Sequence, residues 1–238
     1  MSKRTRKCGQ ATPTGPCQRL IAPGNTDCGV PHAAVRGTGR HQVEDLRGQA
    51  RGNLQTDIPI VQGGRERITD GELLAFGAQI EALGGTVYAD GDSEVFASSE
   101  AEVFGQGSTK VTGTDNARVN LDQDAIGEIS GQAEATISGN ARVVARGKAR
   151  VFAAGRGVVE LFDEAVGVGR DEATFVLHDR SAVYGQDAVA AYGMDNSHMI
   201  LRGNARGFSF GEATWEVTEQ ATVVPGEEAD VPSVSQPR

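Results

Sequence analysis

From Gly91 to Gly226 the chain divides into seventeen consecutive eight-residue units with no insertion. Residues 139–154, GNARVVARGKARVFAA, are two of them end to end, and GDSEVFAS from Gly91 and DEATFVLH from Asp171 are others. A helix repeats near 3.6 residues and a strand at about two, so a period of eight is neither alone. Eight fits one short strand plus one corner. With each unit numbered from its first residue, position 3 is small (Ala101, Ala133, Ala141) and position 5 is mostly Val (Val95, Val103, Val143). Position 7 is small or aliphatic (Ala97, Leu121, Leu177), and positions 1 and 2 are rich in Gly, Asp and Asn. Alternating apolar residues mark a strand with one buried face, and the residues after them tolerate a tight bend.

Such a strand buries nothing alone, so the units must stack. The expectation is a mostly β chain, a parallel β-solenoid over residues 85–225. Two units per coil give sixteen residues per turn, about eight coils and roughly 40 Å at ~4.8 Å per rung. Three units would give a triangular coil; small inward residues suit the thin two-sided one. Proline, which cannot donate to a strand ladder, is absent between Pro59 and Pro225.

The repeat resembles the short-repeat β-solenoids of bacteria and their phages, where GNARV-like phrases recur in tandem. More loosely it is similar to the bactofilin-type polymerising solenoids. The resemblance covers about residues 85–225 and implies scaffolding or binding, with no catalytic residue carried over. The period departs from the six residues of the hexapeptide acyltransferases, which leaves that activity the weakest alternative.

Residues 69–83, TDGELLAFGAQIEAL, read as a helix. Thr69 and Glu72 have capping-box spacing, Leu73, Phe76, Ile80 and Leu83 fall on one face, and Gly84-Gly85 supplies a stop. A helix over 69–84 would plug the first coil. Trp215, at an inward position, and the tail 226–238 would seal the other end. Residues 33–68, rich in Gly, Arg and Gln, read as a flexible basic linker.

All three cysteines fall in residues 1–32. Cys8, Cys17, Cys28 and His32 offer three thiolates and one imidazole within 25 residues, the ligand set of a closed structural Zn2+ site. The spacing Cys-x8-Cys-x10-Cys-x3-His lacks the usual close pair, so unrelated free thiols remain the alternative. The segment also resembles the three-cysteine, one-histidine modules with a C-G-x-x-T-x-x-G-x-C core that open many actinobacterial and phage proteins. Here Cys8, Gly9, Thr12, Gly15 and Cys17 carry the match. That resemblance implies zinc binding and no particular function.

Charge is unevenly spread. Residues 1–67 carry 11 Lys/Arg against 5 Asp/Glu, and residues 85–225 carry 11 against 21. A basic leader could attract phosphate, so nucleic-acid binding through residues 1–67 is an alternative function. No aromatic residue is interleaved among the N-terminal basic residues for base stacking. The basic start is followed by no apolar run, so neither export nor a membrane span is expected. The expected compartment is the cytoplasm, or a virion if the chain is phage-encoded.

Asp163, Asp171, Asp179, Asp187 and Asp195 hold position 1 in five successive units and would form two ladders, as corner residues or as calcium ligands. Position 6 carries Phe152, Tyr184, Tyr192 and Phe208, and between Val144 and Phe208 only Glu160 interrupts an apolar series. Facing outward, these residues would be an interface for a protein partner or a second copy; facing inward they would fill the coil. His178 and His198 fall on opposite sheets of a two-unit coil, and no nucleophile–base–orienter set or phosphate loop is evident. The chain reads as a non-enzymatic scaffold with no small-molecule substrate.

Overall fold

The computed structural model describes residues 58–226 and Val231, together with four two-residue strands nearer the N-terminus. Arg6–Lys7 pairs antiparallel with Leu20–Ile21, and Ala11–Thr12 pairs antiparallel with Gly15–Pro16. Cys8, Cys17, Cys28, His32 and the tail beyond Gly226 other than Val231 lie outside the described residues, as do 33–57 of the expected linker.

Residues 60–225 form a parallel β-solenoid in which successive strands alternate between two eleven-stranded sheets, about ten turns in all. The front sheet runs from Ile60–Gln62 to Thr214–Val217, and the back sheet from Arg65–Ile68 to Thr222–Pro225. From Glu94 and Glu102 onward each residue pairs with the one sixteen further along, as Glu94 with Lys110 and Val103 with Val119. Positions 3, 5 and 7 point between the sheets, where Val95, Ala101, Val103, Leu121, Ile137 and Leu177 are buried. Stacking thus removes from water the one apolar face each strand has.

The corner follows from position 1. All seventeen units place that residue in the left-handed region, with φ between 53° and 71°. Glycine adopts this freely, and Asp and Asn at less cost than other residues, which explains the composition of the position. The turn closes when the position 3 N–H donates to position 8 of the preceding unit (Ala117 N to Thr114 O, 3.1 Å). The position 2 N–H donates one coil back, as Gln132 N to Asp115 O at 2.8 Å, so the ladder continues around the bend.

Two expectations fail at the N-terminal end. The expected helix over 69–83 is two strands, Glu72–Phe76 in the front sheet and Gln79–Ala82 in the back. Leu73 pairs with Val87 and Ile80 with Val95, so both are inward residues of a coil. Gly77, at φ +56°, supplies the corner between them. Apolar residues three and four apart fit a helix face, yet strand–corner–strand uses the same residues and also covers the exposed edges of both sheets. Ile60–Gln62 and Arg65–Ile68, inside the expected linker, make the first coil. These coils are short: Ile60 pairs with Leu74 and Arg65 with Gln79, fourteen residues apart, and Gln79 with Glu94, fifteen apart. Shortened corners break the octad phase, so the repeat is visible only from Gly91.

Of the expected C-terminal seal, the tail lies outside the described residues and only Trp215 can be placed. Trp215 occupies an inward register position beside Met199 but is 48% exposed, and Val217 of the same strand is 42% exposed. No later coil lies over them among the described residues. Nor is any described helix long and apolar enough to cross a membrane.

Candidate interaction surface

Because positions 4–7 of each unit form a strand whose side chains alternate in and out, position 6 faces outward, which resolves the two readings left open by the sequence. Phe152 is 45% and Tyr184 49% exposed. The apolar series between Val144 and Phe208 is not one stripe, however. Consecutive units lie on opposite sheets, so Phe152, Val168, Tyr184 and Ile200 form a column on the front sheet. Val144, Glu160, Val176, Tyr192 and Phe208 form another on the back. The four candidate interface residues therefore divide: Phe152 and Tyr184 in front, Tyr192 and Phe208 behind.

The two columns differ in character. On the front, position 4 beside the column holds Val166 and Ala182, so the patch is apolar across its width. Below it, Glu102, Arg118, Glu134 and Arg150 alternate in charge rung by rung, with Arg150 Nη1 3.7 Å from Glu134 Oε1. Asn116, Arg118, Gln132, Glu134, Lys148 and Arg150 line an open groove there. On the back, the residues largely satisfy one another. Tyr192 stacks on Phe208 with ring centroids 4.7 Å apart, and Val176 is fully covered. Glu160, nearly buried, meets His178 Nε2 at 3.1 Å. His178 stacks at 4.4 Å on Phe162, and the Arg146 guanidinium lies 4.1 Å over the same ring. This guanidinium–phenyl–imidazole stack shields the one carboxylate in the back column. The sequence offered no sign of it, because Arg146, Phe162 and His178 come from successive coils.

The aspartate ladders run as expected, Asp163, Asp179 and Asp195 on one edge and Asp171 and Asp187 on the other. Asp163 Oδ2 accepts the Gly147 N–H at 2.9 Å, Asp171 Oδ2 that of Gly155 at 3.2 Å, and Asp179 Oδ2 that of Asp163 at 3.0 Å. In the corner the position 1 N–H is the donor that the backbone ladder leaves over, and the carboxylates of Asp163, Asp171, Asp179 and Asp195 take it from the coil before. These carboxylates are corner fasteners. His198, on the front sheet, approaches Thr214 Oγ1 at 2.8 Å, far in the chain's path from His178 on the opposite side. Among the described residues no three His, Cys, Asp or Glu side chains are grouped to hold a metal ion.

Compared with protein families, curated proteins and solved structures, the chain matches none of them.

Proposed function

We propose that the solenoid is a rigid, non-enzymatic scaffold that docks a protein partner on its front sheet. Residues 1–32 would be stabilised by a structural zinc ion on Cys8, Cys17, Cys28 and His32. The observation that carries the reading is the outward front column on a two-sheet body, with Phe152 and Tyr184 exposed and Val168 and Ile200 half-buried between and beside them. Each of its side chains stands on a strand hydrogen-bonded on both sides, so the surface is already ordered before binding. An apolar patch of this kind on an otherwise charged body is what a partner covers.

The test compares wild type with Phe152→Arg/Tyr184→Arg, both checked for unchanged thermal melting. Solution mass is followed by light scattering over a concentration series, and partner retention from the source cell is measured in parallel. Association lost in the variant supports front-face docking. Identical behaviour of both proteins in both measurements overturns it.

The basic charge of residues 1–67 favours a second reading, nucleic-acid binding. It requires salt-dependent retention on DNA or RNA that a chain starting at residue 58 does not show.

A further inference from the structure

Resting on the front-face reading above, we propose that the partner is a second copy of this chain, docked face to face and antiparallel with Tyr184 on the twofold axis. Five successive front rungs carry the argument, from Arg150–Ala153 to Thr214–Val217, each in register with the next. Lys148 and Arg150 stand exposed at one end of this stretch, and Glu212 and Glu216 stand exposed at the other. Val166, Val168, Ala182, Tyr184, His198 and Ile200 lie between, and Phe152 stands on the same strand as Arg150. The surface is thus an apolar strip with a positive end and a negative end.

Such a strip is complementary to itself in one orientation. A twofold axis along the solenoid would set the positive Lys148–Arg150 rung against itself and the negative Glu212–Glu216 rung against itself. An axis along the strands through Tyr184 reverses the copy instead. Lys148 then meets Glu212 of the copy, Val168 meets Ile200, and Tyr184 meets itself, while at the ends Arg150 comes opposite Thr214 and Phe152 opposite Glu216. This contact is isologous and closes at two chains. Arg180, on the axial rung, is held by Glu164 of its own chain at 2.6 Å, so its charge there is already matched. Arg170 and Arg202 come opposite each other at the far corner, outside the apolar strip. The back sheet fails the same comparison. Its corresponding stretch has Arg142 at one end and Arg206 at the other, so reversal would oppose like charges. Five rungs of four residues cover about 19 by 13 Å, roughly 250 Å2 per chain, well under the ~800 Å2 per partner of a standard specific interface, so the dimer should be weak and concentration-dependent.

Three measurements on the full chain decide it. Light scattering should show mass rising toward two chains with concentration. Tyr184→Cys should form a 184–184 disulfide, identified by peptide mass so that Cys8, Cys17 and Cys28 do not confuse it, about tenfold faster than Phe152→Cys links to itself. Lys148→Glu and Glu212→Lys should each weaken the dimer about fivefold or more, and the double variant should restore it. A monomer at every concentration overturns the dimer; front-face docking then still stands if a partner is retained by wild type and lost in the arginine variant. A dimer in which Phe152→Cys self-links as fast as Tyr184→Cys has the copies parallel, and also overturns it. A dimer indifferent to every front-face substitution but lost with Trp215→Arg would lie at the open end and would overturn both readings.

Discussion

The ring of Phe175, reaching inward from the back sheet, occupies the space that a side chain on Gly167 of the front sheet would need: a Cβ there would lie 2.5 Å from Phe175 Cε1. Gly169 is held to the same condition by the same ring. This rung is one large residue opposite two absent ones, while its neighbours share volume more evenly. Gly167→Ala should therefore destabilise by about 1–3 kcal/mol through overpacking. Phe175→Ala should cost about 3–5 kcal/mol by leaving a cavity. Combined with Phe175→Leu, Gly167→Ala should cost less than the sum of the two single changes, which denaturant melts in a double-mutant cycle would read. Strict additivity would mean the two sites do not share space.

The corner role of Asp179 separates two contributions. The residue holds φ +55°, and its carboxylate accepts the N–H of Asp163. Asp179→Asn keeps both features and should be within about 0.5 kcal/mol of wild type. Asp179→Gly keeps the conformation and loses the bond, costing about 0.5–1.5 kcal/mol, and Asp179→Ala loses both and should cost the most. The order Asn, Gly, Ala in melting temperature is the outcome to check; equal values for all three would remove the fastener.

Trp215 is the sole tryptophan, so its fluorescence reports the C-terminal end alone. At 48% exposure it should emit at long wavelength and be quenched readily by acrylamide. A blue-shifted, protected signal would mean that something covers the last coil.

The zinc reading predicts one zinc per chain by elemental analysis, reduced by Cys17→Ser and removed by chelator. The solenoid's melting should be unchanged by chelation, because none of Cys8, Cys17, Cys28 and His32 belongs to it. Zinc content unaffected by Cys17→Ser would overturn the ligand set.

How far the sequence speaks depends on which forces repeat. From Gly91 on, every coil solves the same problem with the same residues, so strand, corner and inward positions were legible, down to sixteen residues per turn. Before Gly91, coils of fourteen and fifteen residues keep the inward pairs Leu73–Val87 and Ile80–Val95 but shift their spacing. Period alone cannot see contacts whose spacing varies, and residues 69–83 then look like an amphipathic helix. The outward direction of position 6 was not legible, because apolar side chains there satisfy either face until the corner is known. The split of Phe152 and Tyr184 from Tyr192 and Phe208 was implicit in two units per coil. The Glu160–His178–Phe162–Arg146 cluster was hidden, since its members meet only across coils.

One octad is half a turn, and this has a consequence for inheritance. Duplicating or deleting sixteen residues would lengthen or shorten the rod by one rung and leave every later side chain on its own face. Losing eight would be quite different. Every later unit would still satisfy the repeat, bury its valines and turn its corners, but all later residues would exchange front for back. A gene built this way can change its length in whole turns without changing what it presents, while a half-turn error yields a sound fold that presents its downstream residues on the opposite face.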